Sequence, residues 1–162
     1  MAEEFIIISN SEENTYKIAQ IISPLFHAGD VILLDGDLGA GKTCFVKGFA
    51  DGLNTIDDVN SPTFSIANFY RARSQTEILH IDLYRITAND DFNDLGLVDY
   101  FDQSIVLIEW GKKFVTLFET YLIVSFQIKD DNMRILSFIY QGDKYKTRMC
   151  AVKKILKGDT VC

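Results

Sequence analysis

The sequence predicts an α/β fold with three layers, in which helices cover both faces of a mixed, mainly parallel central sheet. Residues 31–34 and 105–108 are short aliphatic runs, with the length expected of strands that are buried on both faces. A glycine-rich segment separates the first run from a stretch with helical periodicity. Strand, glycine loop and helix therefore follow one another, as they do in open α/β sheets.

The chain supplies one strand and one helix before the predicted strand at residues 31–34. Residues 4–8 form an apolar run of strand length, and residues 9–14 are polar and contain several helix-capping residue types. Apolar residues then recur at helical spacing until the chain turns at residues 24–29. A second helical pattern follows the glycine segment and contains Phe45, Val46, Phe49, Ala50 and Leu53.

The middle of the chain contains further predicted strands at residues 64–70 and 78–83, which we expect to be central, as residues 105–108 are. Residues 90–101 predict a helix or an irregular acidic segment. In the final third, turn-like residues separate two apolar runs, 121–128 and 133–140. This arrangement is typical of an antiparallel hairpin.

Composition limits the classes of function. With 162 residues, of which 48% are hydrophobic, the chain is long enough for one compact domain and we expect a single one over residues 1–162. A net charge of -7 argues against direct binding of nucleic acid, which normally needs a basic face. No apolar run approaches the roughly 18 residues of a membrane span. We therefore expect a cytoplasmic protein without membrane contact.

Residues 36–43 read GDLGAGKT and match the pattern Gly-x4-Gly-Lys-Thr. The glycines allow backbone N–H groups to face phosphate oxygens, and a helix beginning at Lys42 adds its positive dipole end. Lys42 would bridge the β- and γ-phosphates, and the Thr43 hydroxyl would coordinate Mg²⁺. We therefore predict a P-loop NTPase fold that binds ATP with Mg²⁺. Its predicted nucleotide contacts are Asp37, Leu38, Gly39, Ala40, Gly41, Lys42, Thr43 and Cys44.

A P-loop enzyme also needs a carboxylate at the carboxyl end of a neighbouring strand. Asp82 follows the apolar residues 78–81, and Glu109 follows residues 105–108. We favour Glu109 as the group on the metal side because its longer side chain could reach the ion. Asp82 would then orient the nucleophile or couple to the γ-phosphate. The sequence leaves open which carboxylate contacts the metal directly.

Several other residues have both a functional and a structural interpretation. Ser61 and Thr63 could sense the γ-phosphate as switch loops do, although Ser-Pro alone is more often a turn. His80 could act as a base, yet a histidine within an apolar strand is more often a core residue. Cys44 is more plausible as a small buried side chain than as an activated thiol. Trp110 fits the core and the active site equally well.

Five segments in order resemble the bacterial TsaE (YjeE) ATPases of tRNA threonylcarbamoyladenosine biosynthesis. The segments are GDLGAGKT at 36–43, SPTF at 61–64, HIDLYR at 80–85, LGLVDYF at 95–101 and IEW at 108–110. The first segment is shared by many P-loop proteins, whereas the combination of HIDLYR and IEW is specific to far fewer families. The resemblance covers roughly residues 9–134, and residues beyond 141 match poorly. We expect this tail, residues 142–162, to be a lineage-specific end without a role.

The resemblance implies a small Mg²⁺-dependent ATPase, slow alone, that acts with the TsaD and TsaB proteins and meets tRNA only through them. These partners install the threonylcarbamoyl group, and the ATPase resets them between turnovers. The matching positions imply Thr43 and Glu109 as magnesium ligands and Asp82 as a residue needed for hydrolysis. Trp110 would lie near the nucleotide or the partner surface. Arg134 takes the place of a basic residue near the nucleotide.

Two other functions remain open from the sequence. A small-molecule kinase would need an acceptor pocket and an arginine-bearing lid over the phosphates. Arg71, Arg73 and Arg85 are the only basic residues in the relevant stretch and do not form a cluster. A nucleotide-gated binding module would bind ATP but never hydrolyse it.

Overall fold

The computed structural model describes residues 2–158. Over these residues the strands are β1 (Glu3–Ser9), β2 (Val31–Gly36), β3 (Ala67–Arg71), β4 (Glu77–Asp82), β5 (Ser104–Glu109), β6 (Tyr121–Ile128) and β7 (Arg134–Gln141). They form one seven-stranded sheet with the order β1-β7-β6-β2-β5-β4-β3. The earliest predicted strand and the late hairpin are thus confirmed.

The sheet is mixed, with its parallel pairings in the centre. The pairs β6–β2, β2–β5 and β5–β4 are parallel, whereas β1–β7, β7–β6 and β3–β4 are antiparallel. Five strands therefore point one way, and only β3 and β7 point the other way. The prediction of a mainly parallel sheet holds for strand direction, although the pairings are divided equally.

The described residues contain the helices α1 (Glu12–Ile22), α2 (Lys42–Gly52), α3 (Asn89–Asp94) and α4 (Asp143–Lys157). Shorter 3₁₀ helices occupy Ser23–Leu25, Leu97–Gln103 and Lys112–Leu117. The Ser11 side chain accepts a hydrogen bond from the Asn14 amide and so caps α1. Within residues 2–158, no helix has the length and apolar character needed to cross a membrane.

Two hydrophobic cores lie on opposite faces of the sheet. Ile32 and Leu34 of β2 pack with residues of α1, α2 and α4, whereas Val31 and Leu33 pack with residues of α3 and the 3₁₀ helices that follow it. Successive side chains of a strand point to opposite faces. Because both faces are covered, β2 needs an apolar residue at every one of these positions, which explains its continuous aliphatic run.

The position of α2 depends on a close contact with α1. A Cβ atom at Gly48 would lie only 2.1 Å from the carbonyl oxygen of Tyr16. A side chain at this position would therefore push the two helices apart. Gly48 lets α2 pack closely against α1, and this packing fixes where α2 begins, directly after the glycine-rich segment.

The strand predicted at residues 64–70 begins later and lies at the edge of the sheet, so its central placement was wrong. The Ile66 amide donates to the Pro62 carbonyl oxygen in a turn, and Ile66 has a positive φ of 70°. Phe64 is 87% exposed. The apolar residues before Ala67 made the predicted strand too long. The turn delays the start of β3 to Ala67.

The expectation that the C-terminal tail has no role was wrong for the fold. Residues 143–157 form α4, whose Tyr145, Met149 and Val152 are buried in the core. The Tyr145 hydroxyl accepts a hydrogen bond from the Val31 amide at 2.6 Å and donates to the Val31 carbonyl oxygen at 3.1 Å. The helix therefore completes the core at the start of β2. Residues 159–162 lie outside the described residues.

Candidate active site

The glycine loop, residues 36–43, connects the end of β2 to the start of α2. Gly41, which precedes the helix, has a φ of 109°, a conformation that residues with side chains rarely adopt. No side chain caps α2. The first amide groups of this helix therefore have no capping partner in the described chain and are available to an anion.

Lys42, the first residue of α2, folds back over the glycine loop. Its Nζ donates to the carbonyl oxygens of Gly36 and Asp37, the latter at 3.0 Å. The same atom lies 4.2 Å from the centroid of the Trp110 ring. Burial lowers the pKa of Lys42, and the negative charges of Glu109 and Asp82 oppose this shift.

The two predicted carboxylates lie side by side at the carboxyl ends of adjacent parallel strands. Asp82 of β4 is in register with Glu109 of β5, and both residues are buried. The Thr43 hydroxyl donates to Glu109 Oε1 at 3.3 Å. Asp82 Oδ2 instead accepts from the Thr63 hydroxyl at 3.1 Å, and its Oδ1 accepts from the Tyr84 amide at 2.9 Å.

The predicted site residues surround one cleft of about 230 Å³. Asp37 and Arg134 are the two predicted residues that do not line it. The backbone carbonyl oxygen of Asp37 accepts a hydrogen bond from Lys42. The lining residues are Glu12, Leu38, Gly39, Ala40, Gly41, Lys42, Thr43, Cys44, Ser61, Thr63, Asp82, Glu109 and Trp110.

Arg134 lies behind the glycine loop, on β7. Its Nε donates to the Ala40 carbonyl oxygen at 3.2 Å and its Nη2 to the Gly39 carbonyl oxygen at 3.4 Å. These contacts place Arg134 against the backbone of the loop. The resemblance implies that Arg134 lies near the nucleotide. In the structure, Arg134 instead supports the glycine loop from the side away from the cleft.

Cys44 lies on the flank of the cleft, where its Sγ donates to the Glu12 carbonyl oxygen at 3.3 Å. Burial raises the pKa of this thiol. A raised pKa disfavours the reactive thiolate. The geometry therefore agrees with the interpretation of Cys44 as a small, partly buried side chain.

Trp110 lies at the cleft and has a strained backbone. Its φ of 60° is uncommon for a residue with a bulky side chain. The Trp110 amide donates to the Leu34 carbonyl oxygen at 3.1 Å, and the indole packs edge-on against Tyr84 with centroids 5.1 Å apart. These contacts hold the ring beside the Lys42 ammonium group.

His80, which the sequence predicted to be a core residue, is part of the site. It is fully buried, as that interpretation requires, but its Nε2 lies 2.8 Å from Glu109 Oε2. Its Nδ1 lies 3.0 Å from the Tyr70 hydroxyl. A signal was available, because His80 and Asp82 are two residues apart on one strand and so share a face of the sheet.

The donor atoms of the cleft suit a hard cation. Thr43, Glu109 and Asp82 present hydroxyl and carboxylate oxygens, which are the ligands that Mg²⁺ prefers. Among residues 2–158, no group of three His, Cys, Asp or Glu residues could hold a metal ion. This arrangement fits an ion that takes only one or two protein ligands and completes its shell with phosphates and water.

Comparisons with known proteins agree with the resemblance in the sequence. Residues 9–136 match the family model of the threonylcarbamoyl adenosine biosynthesis protein TsaE. The chain is 39% identical over 136 residues to the tRNA threonylcarbamoyladenosine biosynthesis protein TsaE of Bacillus subtilis (strain 168), covering 83% of this chain and 84% of the relative. The corresponding protein of Treponema pallidum (strain Nichols) is 33% identical over 129 residues, or 78% and 94% of the two chains.

The fold also matches a solved structure. The crystal structure of Bacillus subtilus YdiB superimposes with a TM-score of 0.81 and 30% sequence identity. The match covers 96% of this chain and 97% of that chain. It therefore extends beyond the residues of the family model.

Proposed function

This chain belongs to the TsaE family of threonylcarbamoyl adenosine biosynthesis proteins, and we propose that its part in that process is to bind and hydrolyse ATP. In this proposal the chain is a P-loop ATPase, slow alone, that supports repeated turnover of the TsaD–TsaB pair. Its net charge of -7 favours contact with tRNA through these partners. Because tRNA is modified in the bacterial cytoplasm, the proposal places the chain there.

The observation that carries the proposal is the hydrogen bond from Thr43 to Glu109 beside the uncapped start of α2. It brings a hydroxyl and a carboxylate together where the phosphates of a nucleotide would meet the helix. These two residues would hold Mg²⁺, with the remaining ligands supplied by phosphate and water. The bound ion would neutralise charge that develops on the phosphate oxygens.

The other residues of the cleft have distinct roles in this proposal. Lys42 would exchange its bonds to the loop carbonyls for bonds to the β- and γ-phosphates. Asp82, whose carboxylate is held by Thr63 and the Tyr84 amide, would orient the attacking water. Ser61 and Thr63 would sense the γ-phosphate, since Thr63 already contacts this carboxylate.

The cleft gives less support to a kinase. No arginine is among the described residues that line it, although a kinase normally closes a basic lid over the phosphates. A binding module without hydrolysis differs from the proposal only in the chemical step. Release of inorganic phosphate separates these functions, since a kinase would transfer phosphate to an acceptor and a binding module would release none.

The deciding experiment is tRNA modification by TsaD and TsaB with limiting enzyme, ATP and Mg²⁺, in the presence of this chain or a variant. We expect the wild-type chain to support many turnovers, and Lys42→Ala and Glu109→Ala to support none beyond the first. The exposed residues Lys17 and Glu119 provide matched controls as Lys17→Ala and Glu119→Ala. Full multi-turnover modification with Lys42→Ala or Glu109→Ala would refute the proposal.

A further inference from the structure

A line of buried polar groups runs from the site to the segment that contains Ser61. Glu109 Oε2 lies 2.8 Å from His80 Nε2, and His80 Nδ1 lies 3.0 Å from the Tyr70 hydroxyl. The same hydroxyl lies 2.7 Å from the Asn60 carbonyl oxygen. Glu109, His80 and Tyr70 are all less than 5% exposed. The line therefore joins strands β5, β4 and β3 to the exposed residue Asn60 through direct contacts.

The first link restricts the Glu109 carboxylate. A carboxylate that holds a metal is ionised and can only accept hydrogen bonds, so the proton of this contact belongs to His80 Nε2. With Oε2 engaged by His80, Oε1 is the oxygen that faces Thr43. Rotation of the carboxylate would break a hydrogen bond in a buried setting, where an unsatisfied polar group is costly.

The second link fixes the histidine. In a neutral imidazole that donates from Nε2, Nδ1 is an acceptor and accepts a hydrogen bond from the Tyr70 hydroxyl. That single proton has a second acceptor, the Asn60 carbonyl oxygen. Asn60 does not depend on Tyr70 alone, because Asn68 Nδ2 also donates to this carbonyl oxygen, at 3.1 Å. The Tyr70 hydroxyl can therefore donate to His80 Nδ1 or to the Asn60 carbonyl oxygen, but not to both at once.

The same segment is tied to the other carboxylate. Thr63 donates to Asp82 at 3.1 Å, and Ser61 and Thr63 share a hydrogen bond at 2.7 Å. Residues 60–63, which we call the hydroxyl segment, thus contact Asp82 through Thr63 and Glu109 through Tyr70 and His80. Both carboxylates are therefore connected by hydrogen bonds to this one segment.

We propose that His80 is a positioning residue for Glu109, and that Tyr70 couples the metal-bound orientation of this carboxylate to the hydroxyl segment. This inference rests on the proposed function, since it assumes that Glu109 holds Mg²⁺ beside ATP. While metal-bound Glu109 accepts a hydrogen bond from His80 Nε2, His80 Nδ1 is left to accept the hydrogen bond of the Tyr70 hydroxyl. The hydroxyl segment then loses one of its bonds to the sheet, while the bonds from Asn68 to Asn60 and from Thr63 to Asp82 remain.

The test measures metal binding directly, with Mn²⁺ as a spectroscopic probe and a nonhydrolysable ATP analogue bound to the full chain. We expect His80→Leu to weaken Mn²⁺ binding roughly 10- to 100-fold, the range found for residues that orient metal ligands. His80→Gln should recover part of this loss, because its amide N–H can donate to Glu109. Affinity for the analogue without metal should stay within about twofold for both variants.

A second measurement follows the hydroxyl segment by hydrogen exchange at the Asn60 amide, which donates to the Tyr70 hydroxyl at 3.3 Å. In the wild type, Mn²⁺ should change exchange at this amide. Tyr70→Phe removes the hydroxyl and keeps the ring, so the metal should no longer change it. Tyr121→Phe is the matched control, since the Tyr121 hydroxyl bonds Gln141 far along the sheet.

The outcomes separate this inference from the proposed function. Wild-type Mn²⁺ affinity in His80→Leu, together with metal-dependent exchange at Asn60 in Tyr70→Phe, would overturn the inference and leave the function standing. Equal losses of metal affinity and metal-free nucleotide affinity would indicate a purely structural role and also overturn it. A wild-type chain that binds no Mn²⁺ with the analogue would overturn both. If His80→Leu fails to fold, the other two variants decide.

Discussion

Buried carboxylates lie at both ends of the central parallel strands, and their charged partners differ. Asp30 precedes β2 and is 2% exposed. Its carboxylate pairs with Arg148 and with Lys144, the latter at 3.6 Å, and accepts from the His27 amide at 2.7 Å. Both cations belong to α4. At this end, the chain supplies its own positive charge.

Asp82 and Glu109, at the other end, have no such partner. Among the described residues, no lysine or arginine forms an ion pair with either carboxylate, and Glu109 instead contacts the His80 ring. Buried charge without a counterion is costly. Asp30, which is paired within the chain, holds the fold together. Asp82 and Glu109, which no lysine or arginine neutralises in an ion pair, are available to the Mg²⁺ ion that we propose.

The largest expected difference between Asp30 and Glu109 is in how their substitution changes the free energy of unfolding. Asp30→Ala leaves Arg148 without its buried partner, and we expect a loss of about 3–5 kcal/mol in the free energy of unfolding. Urea denaturation measures it. Glu109→Gln in the same assay should cost less than about 1 kcal/mol or stabilise the chain, since it removes a buried charge that no lysine or arginine pairs with. Equal losses in the two variants would remove the distinction between the ends.

The next effect is on activity and has the opposite pattern. Glu109→Gln keeps the shape of the side chain and removes its charge, so we expect ATP hydrolysis to fall roughly 10²- to 10³-fold, as for other single groups that stabilise developing charge. Phosphate release at saturating ATP and Mg²⁺ measures this. Lys144→Met, at the Asp30 end, should hydrolyse ATP at the wild-type rate. A comparable fall in that variant would contradict the separation.

A smaller effect tests the support of the glycine loop. Arg134→Met keeps an unbranched side chain and removes the hydrogen bonds to the Gly39 and Ala40 carbonyl oxygens. We expect nucleotide affinity to fall about tenfold, or about 1.4 kcal/mol. Calorimetric titration with ADP measures the change, and Arg71→Met, on the edge strand β3, is the control. Unchanged affinity in Arg134→Met would show that the loop holds its shape without this contact.

The smallest effect concerns pH at the α4 end. Burial raises the pKa of Tyr145 above its ordinary value of 10.0, so the unfolded chain loses this proton first. Tyr145 therefore stabilises the fold fully below pH 10 and progressively less as pH rises above it. Between pH 10 and 11 we expect the loss from this residue to be about 1 kcal/mol. The difference in unfolding free energy between wild type and Tyr145→Phe should shrink accordingly, and a constant difference would contradict the assignment.

The sequence predicted most of the strands but missed the start of β3 and the helix α4. The strands β2 and β5 were found because burial on both faces demands continuous aliphatic residues. The start of β3 was missed because Phe64 is apolar and yet exposed. The helix α4 was missed although Tyr145, Met149 and Val152 have helical spacing, since the family resemblance stopped before them.

The candidate site divides along a similar line. Lys42, Thr43, Asp82 and Glu109 were identified because local pattern and strand order suffice to place them in one cleft. The bonds of His80 depend on the register between β4 and β5 and on the ring orientation, and neither can be read from a single chain. The contact of Arg134 with the glycine loop joins residues more than ninety positions apart.

The position of Trp110 beside Lys42 makes tryptophan fluorescence a probe of nucleotide binding. It is the only tryptophan in the sequence, and its ring centroid lies 4.2 Å from the lysine ammonium. If this ammonium moves to the phosphates of an incoming nucleotide, the cation leaves the indole face. The intrinsic fluorescence of the unlabelled protein should then report the arrival of a ligand, without a dye or a chromophore attached to the nucleotide.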